Sequence, residues 1–209
     1  MRTYHLPAIG AAIALCFFIL AASYYPGGTM EAADSIGYSW VHNFLSALLQ
    51  PKALNGAANP ARYFANLAML VLCVSLGIAF WRISGTLGGR GHRKTIQIAG
   101  VGAVVYSLLI VTPMHDLMVT IGLLFALVAQ LATVHALYLE GHRGLFAWGA
   151  LSIALALLSA TMYYGHLLYA FLPVVQKVGI ASSVGWLLAV YYWQVGETRE
   201  PVPLRESIA

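Results

Sequence analysis

The sequence predicts an all-α fold, a polytopic membrane bundle of six transmembrane helices, from its composition and its apolar runs. Of its 209 residues, 60% are hydrophobic and only 9% are charged, whereas a soluble domain is about 25% charged. A helix needs roughly 20 apolar residues to cross about 30 Å of hydrocarbon. Runs of this kind lie at about 6–25, 62–82, 95–112, 114–138, 145–164 and 168–193. Each run is expected to be helical, because only a helix pairs its backbone polar groups within one segment.

We expect a single transmembrane domain over residues 1–196, followed by a flexible cytoplasmic tail at 197–209. The tail is polar and contains proline, and such composition does not favour a packed structure. No polar stretch is long enough to fold as a domain of its own. The first apolar run follows Arg2, as a signal peptide would, but it is long for a signal sequence. We therefore expect it to remain as a span.

Basic residues in the loops predict the orientation of the bundle. With six spans, one side contains Arg2, Arg82, Arg90, Arg93, Lys94, Arg143, Arg199 and Arg205. The loops of the other side contain only Lys52 and Arg62. Cytoplasmic loops are enriched in Lys and Arg, so both termini are expected in the cytoplasm, with the chain in a bacterial inner membrane. This distribution accounts for the net charge of +4, and no nucleic-acid partner is expected.

The first outer loop, at about 26–61, is long and rich in turn-forming dipeptides. Within it, residues 38–50 are predicted to form a short amphipathic helix at the membrane interface. Tyr38 and Trp40 would then lie at the level of the lipid headgroups. Structureless loops of this length are uncommon in compact domains. We therefore expect the loop to fold over the outer mouth of the bundle.

Polar residues that could bind a ligand or take part in a reaction gather on this outer side of the predicted bundle. The residues expected at this depth are Asp34, His42, Ser46, His115, Asp116 and His166. The three histidines come from three different loops, and three imidazoles could hold zinc with one position open for water. An alternative interpretation assigns them no special role. Asp116 would then complement the dipole of a helix start, and His166 would belong to an aromatic belt.

Lys177 is the one unambiguous charge inside a predicted span, and Gln176 lies beside it. A charged residue within the membrane indicates a functional site, and Asp34 or Asp116 would be the expected partner. Alternatively, the lysine side chain tilts toward the start of its helix and reaches the interface.

The segment HNFLSALLQPKALNGAANPARYFAN at 42–66 resembles the first outer loop and second span of a bacterial six-helix membrane family called domain of unknown function 998. The segments TPMHD at 112–116 and QKVGIASSVGW at 176–186 are similar to other motifs of that family. The resemblance implies a six-helix membrane fold over nearly the whole chain. It implies no particular reaction.

A more distant similarity is to the CREST membrane hydrolases, which include alkaline ceramidases. Those enzymes use Ser, Asp and three His around zinc to hydrolyse lipid amides. The resemblance implies catalytic roles for Ser46 and Asp116, and zinc on His42, His115 and His166. This chain departs from that family in having six predicted spans instead of seven. It also lacks the His-x-x-x-His pair of the last helix.

Three functions are therefore predicted. In the first, an outward-facing polar pocket binds a membrane lipid or a small polar or anionic molecule. Its ligand-binding residues would be Asp34, His42, Asn43, Gln176 and Lys177. In the second, the protein is a zinc-dependent hydrolase of a lipid amide or ester. In the third, it is an accessory subunit that contacts another membrane protein, or it forms a homo-oligomer.

Overall fold

The structure, a computed structural model, describes residues 3–112 and 114–197 and is helical throughout these ranges, apart from turns and one long loop. The α-helices in this part of the chain are α1 Leu6–Ser23, α2 Ala61–Thr86, α3 Arg90–Leu108, α4 His115–Leu139, α5 Arg143–Gly165 and α6 Leu172–Glu197. Short 3-10 segments extend or precede three of them, at Thr3–His5, Leu109–Val111 and Tyr169–Phe171. The predicted tail at 197–209 lies outside the described residues, except for the end of α6.

Five helical segments are long and apolar enough to cross a membrane. They are α1, α2, α4, α5 and the segment Tyr169–Gly196, which contains most of α6. The prediction of a multi-pass helical membrane protein is therefore confirmed. Helix α3 does not meet this criterion, because Arg90, Arg93 and Lys94 make its first turns strongly polar.

The helices pack in chain order and close into a ring. Each of α2 to α5 contacts the next helix, and α6 returns to contact α2, while α1 packs chiefly against α2. Helices that follow one another in the chain run in opposite directions, so α2 and α6 run in the same direction where the ring closes. Residues 24–60, between α1 and α2, cover one end of this ring, which we call the loop end. The opposite end contains the tight turns between α2 and α3 and between α4 and α5.

The larger hydrophobic core lies toward the opposite end, inside the ring. Its most buried side chains come from α2, α3, α4 and α6, and include Ile83, Ile96, Leu137, Trp186 and Tyr191. The Trp186 indole donates a 2.8 Å hydrogen bond to the carbonyl oxygen of Leu145. This bond satisfies the polar edge of an otherwise apolar side chain. A second core at the loop end joins α1, α2 and the loop.

Small residues allow the helices to approach closely. A Cβ atom added to Gly149 of α5 would lie 2.5 Å from a Val134 methyl carbon and 2.7 Å from the Trp186 ring. One added to Gly100 of α3 would lie 2.6 Å from the ring of Phe80. Contacts of this kind are typical of membrane helices, where close packing replaces the hydrophobic effect as a source of association.

The segment that was predicted as an interfacial helix is mostly irregular. Only Leu45–Leu49 is helical, as a single 3-10 segment, and Phe44 and Gln50 on either side of it have extended backbones. Leu48 and Leu49 are buried in the second core. The Asn43 side chain accepts a 2.8 Å hydrogen bond from the Ser39 amide, and such local bonds compete with helical pairing.

Replacing Gly149 by alanine tests the close packing of α5. We expect Gly149→Ala to destabilise the protein by about 1–3 kcal/mol, because the new methyl group overlaps Val134 and Trp186. Gly144→Ala is the matched control, since a Cβ at that position of the same helix meets no atom within 4 Å. Thermal unfolding in detergent measures both variants. Equal melting temperatures for the two would contradict the packing.

Candidate functional site

The loop end is built around Asn43, a fully buried polar residue. Its side-chain amide donates a 2.8 Å hydrogen bond to the Gly28 carbonyl oxygen, and its side-chain oxygen accepts one from the Ser39 amide. Asn43 was predicted to bind a ligand. In the structure, its side chain instead joins two distant parts of the loop, and its carbonyl oxygen faces α6.

Lys177 of α6 docks onto this loop. Its ammonium donates hydrogen bonds to the carbonyl oxygen of Asn43, at 2.5 Å, and to that of Pro173, at 3.0 Å. The bond to Pro173, four residues earlier, shows that the side chain runs toward the start of its helix. Neither Asp34 nor Asp116 forms an ion pair with Lys177 among the described residues. Main-chain carbonyls take the place of the expected acid.

Aromatic side chains surround this contact. The Lys177 ammonium lies 5.8 Å from the centre of the Tyr38 ring, and the Tyr38 hydroxyl donates a 3.2 Å hydrogen bond to the same Asn43 carbonyl oxygen. The Tyr25 ring contacts Tyr38 edge-on, and the Tyr25 hydroxyl accepts a hydrogen bond from the Leu54 amide. Burial raises the pKa of Tyr38, and nearby Tyr25 raises it further. Tyr38 therefore stays neutral and keeps its donor.

Besides Oγ of Ser35 in the loop, three buried polar atoms of the helices near the loop end have no hydrogen-bond partner among the described residues. They are Oδ1 of Asn66 in α2, Nε2 of His115 in α4 and Oε1 of Gln176 in α6. Asn66 and Gln176 lie within the first two turns of their helices, and His115 begins its own. Leaving such an atom buried and unpaired costs about 1–3 kcal/mol. In native proteins, an unpaired buried group commonly indicates a bound water, an ion or a functional role.

The remaining predicted residues of the first loop lie nearer to solvent. Asp34 is exposed. His42 lies 3.7 Å from Glu31, and its side chain is 45% exposed. Ser46 is partly buried within the 3-10 segment Leu45–Leu49, so it does not share a regular helix face with His42.

His115 and Asp116 contact each other at the start of α4. The Nδ1 atom of His115 lies 3.0 Å from a carboxylate oxygen of Asp116. In the tautomer that donates from Nδ1 to this carboxylate, Nε2 is left as an acceptor. His166 is exposed, adopts a left-handed backbone conformation after α5, and stacks on Tyr169 with ring centres 5.9 Å apart.

In the described ranges, no group of three or more His, Cys, Asp or Glu side chains lies close enough to hold a metal ion. His42, His115 and His166 are therefore not assembled into such a group. The zinc site, and with it the catalytic roles of Ser46 and Asp116, remain predictions from the sequence.

Sequence reasoning missed a histidine pair at the opposite end. The ring nitrogens of His92 and His135 lie 2.9 Å apart. The turn before α3 brings them together, and Gly88 in that turn has φ +70°, with its amide donating to Glu140. Both residues are at least partly exposed. No sequence signal at helical spacing joins them, because they come from two helices.

Asn59 was also missed as a structural centre. Its side-chain amide lies 2.8 Å from the Gln50 carbonyl oxygen and near those of Ala47 and Leu48. Its side-chain oxygen accepts a hydrogen bond from the amide of Ala61, the first residue of α2. An asparagine before a proline could have indicated this turn, in which the side-chain oxygen accepts from the amide two residues later.

Comparisons with known proteins identify no relative of this chain. No family model, curated protein or solved structure matches the chain. The class of protein therefore rests on the fold, which defines a multi-pass helical membrane protein.

Removing the Lys177 ammonium tests whether it fastens the loop. We expect Lys177→Met to increase amide hydrogen exchange in residues 38–44, because the Asn43 carbonyl oxygen loses a charged donor worth about 1.5–3 kcal/mol. Lys52→Met, a change of an exposed loop lysine, is the control. Unchanged exchange at 38–44 in Lys177→Met would show that the contact does not hold the loop.

The burial of Tyr38 should make the stability of the protein depend on pH. Burial raises the pKa of Tyr38 above the ordinary value of 10.0, which the unfolded chain keeps. The stability that the neutral Tyr38 hydroxyl gives the folded protein is therefore fully present below pH 10 and is lost as pH rises further. We therefore expect the melting temperature of Tyr38→Phe to fall less steeply above pH 10 than that of the natural protein. Tyr63→Phe, at a ring that is 66% exposed, should follow the natural protein. Parallel curves for all three would refute the role of Tyr38.

Proposed function

We propose that this protein is an inner-membrane binding protein whose loop end faces outward and holds an anionic ligand that also carries hydroxyl groups. The observation that carries the proposal is the Lys177 ammonium beneath the loop, at the same end of the ring as unpaired buried atoms of three helices. A glycerol phosphate headgroup, free or as part of a membrane lipid, has both chemical features.

The ammonium of Lys177 supports the anionic part. An ammonium has three N–H donors, and the carbonyl oxygens of Asn43 and Pro173 use two of them. The third remains for a ligand. A positive charge within a membrane-spanning segment is expensive unless it has a partner, and such residues often mark binding sites.

The unpaired atoms support the hydroxyl part. Oδ1 of Asn66 and Oε1 of Gln176 can only accept hydrogen bonds. Nε2 of His115 also accepts when Asp116 holds the proton on Nδ1. A ligand that fills this set must therefore donate hydrogen bonds as well as carry negative charge. Asp34 and His42 are exposed nearer the entrance and would meet the ligand from the solvent side.

The orientation is part of the proposal, as is a sixth span. Helix α3 packs back along α2, with Gly100 against Phe80 and Gly77 near Val104. It therefore runs between the same two ends as its neighbours. Its 19 residues extend about 28 Å, and Leu109–Val111 lengthens it. With six spans, the basic turns lie in the cytoplasm, as do both termini.

No specific observation among the described residues favours the zinc hydrolase, so binding is the function that we advance. The accessory-subunit role likewise has no residue-level support in this structure.

Binding can be tested with glycerol phosphate and with glycerol, which lacks the charge. We expect glycerol phosphate to raise the melting temperature of the purified protein more than glycerol does. Lys177→Met and Gln176→Leu should each abolish most of that difference, whereas Lys52→Met should retain it. Because Gln176→Leu leaves the bonds from Lys177 to the loop intact, its result separates ligand binding from loop docking. Equal stabilisation of all variants would overturn the proposal.

A further inference from the structure

A groove lies at the opposite end of the ring from the loop, between the start of α1 and the last turns of α2. It is open to the surroundings, has a volume of about 640 Å³, and is lined by Leu6, Val74, Gly77, Ile78, Trp81 and Arg82. Val74, Ile78 and Arg82 follow one another at four-residue spacing, so they form a single stripe on α2. Gly77 has no side chain beside this stripe, and the surface there is recessed.

The chemistry of the groove changes along its length. Its middle is aliphatic, and Val74 is 53% exposed there. Trp81, 59% exposed, follows toward the end of the helix, and tryptophan prefers the level of the lipid headgroups. Arg82 comes last, about 12 Å along the helix axis from Val74. An acyl chain ending in a headgroup has the same order of properties.

Arg82 is a free cation at the end of this groove. In the described part of the chain, its guanidinium has no hydrogen-bond or ion-pair partner, and the side chain is exposed. Arg93, on the neighbouring helix, differs because it donates to the carbonyl oxygens of Gly88 and Thr86. The free guanidinium offers paired donors that match two oxygens of a phosphate.

We propose that this groove is a binding site for one anionic phospholipid of the membrane leaflet at this end. An acyl chain lies along Val74, Gly77 and Ile78, and the headgroup phosphate meets Arg82. Charge complementarity selects the occupant, because Arg90 and Lys94 at the start of α3 add positive charge to the same end. A zwitterionic lipid carries an ammonium that these residues repel, and it should bind less well. This site is separate from the loop-end site and does not depend on it.

Native mass spectrometry of the delipidated protein in neutral detergent tests the site. The titrated lipid is phosphatidylglycerol, and phosphatidylcholine is the zwitterionic reference. We expect Arg82→Gln to weaken binding of the first phosphatidylglycerol by about tenfold, because a charge-assisted contact is lost. Arg62→Gln is the matched control. Arg62 lies at the other end of the same helix, where its guanidinium carbon is 5.0 Å from the centre of the Tyr63 ring.

A second variant tests the groove without changing the charge. A Cβ at Gly77 makes only ordinary contacts, at 3.8 Å from the methyl carbons of Val104, so Gly77→Ala should fold, and its methyl group makes the recess shallower. We expect it to weaken phosphatidylglycerol binding while Arg82 remains in place. Because the loop-end site could also take the phosphatidylglycerol headgroup, each titration is repeated in the Lys177→Met background, in which the effects of Arg82→Gln and Gly77→Ala should persist.

Two results would overturn the proposal. One is equal phosphatidylglycerol binding by Arg82→Gln and Arg62→Gln. The other is equal affinity of the natural protein for phosphatidylglycerol and phosphatidylcholine. Inorganic phosphate should displace the bound lipid less effectively than added phosphatidylglycerol does. Equal displacement by the two would refute the acyl part of the site.

Discussion

Hydrocarbon offers no hydrogen-bond partner to a backbone amide, and this constraint governs most of the structure. It makes the apolar segments helical and confines irregular backbone to their ends. The long loop between α1 and α2 is mostly irregular, so its backbone groups need hydrogen-bond partners that a helix does not provide. Its polar groups are satisfied by hydrogen bonds within the loop, from both backbone and side chains, and by one lysine from a distant helix.

That internal satisfaction explains why the loop is compact. Asn43 and Asn59 each use both atoms of the side-chain amide group to join separate turns. The Tyr38 hydroxyl donates one further hydrogen bond, to the Asn43 carbonyl oxygen, and the Tyr25 hydroxyl accepts another, from the Leu54 amide. The loop therefore forms a fixed cover, and Lys177 fastens it to α6 over a separation of 134 residues.

The two ends of the ring differ in how they are filled. Toward the opposite end, Ile83, Trp186 and Tyr191 leave the interior closely packed. Near the loop end, Asn66, His115 and Gln176 contribute buried atoms without partners, whereas toward the opposite end Gln130 has one such atom. A protein that only needed a stable bundle would gain by replacing these atoms with apolar groups. The three atoms at the loop end, together with the Lys177 ammonium, are the physical reason why we propose a binding site at this end.

The sequence by itself determined the helices and the end at which polar residues gather. The predicted run 62–82 corresponds to Ala61–Thr86, and 114–138 to His115–Leu139, because the required length of apolar chain is a local property. It also identified Lys177, since a lone charge in an apolar run needs no structure to be noticed. Only the tertiary structure decided what these residues contact. The lysine meets a carbonyl oxygen instead of an acid, Asn43 joins parts of the loop, and His92 pairs with His135. Such contacts join segments far apart in the chain, and local periodicity carries no information about which helices will become neighbours.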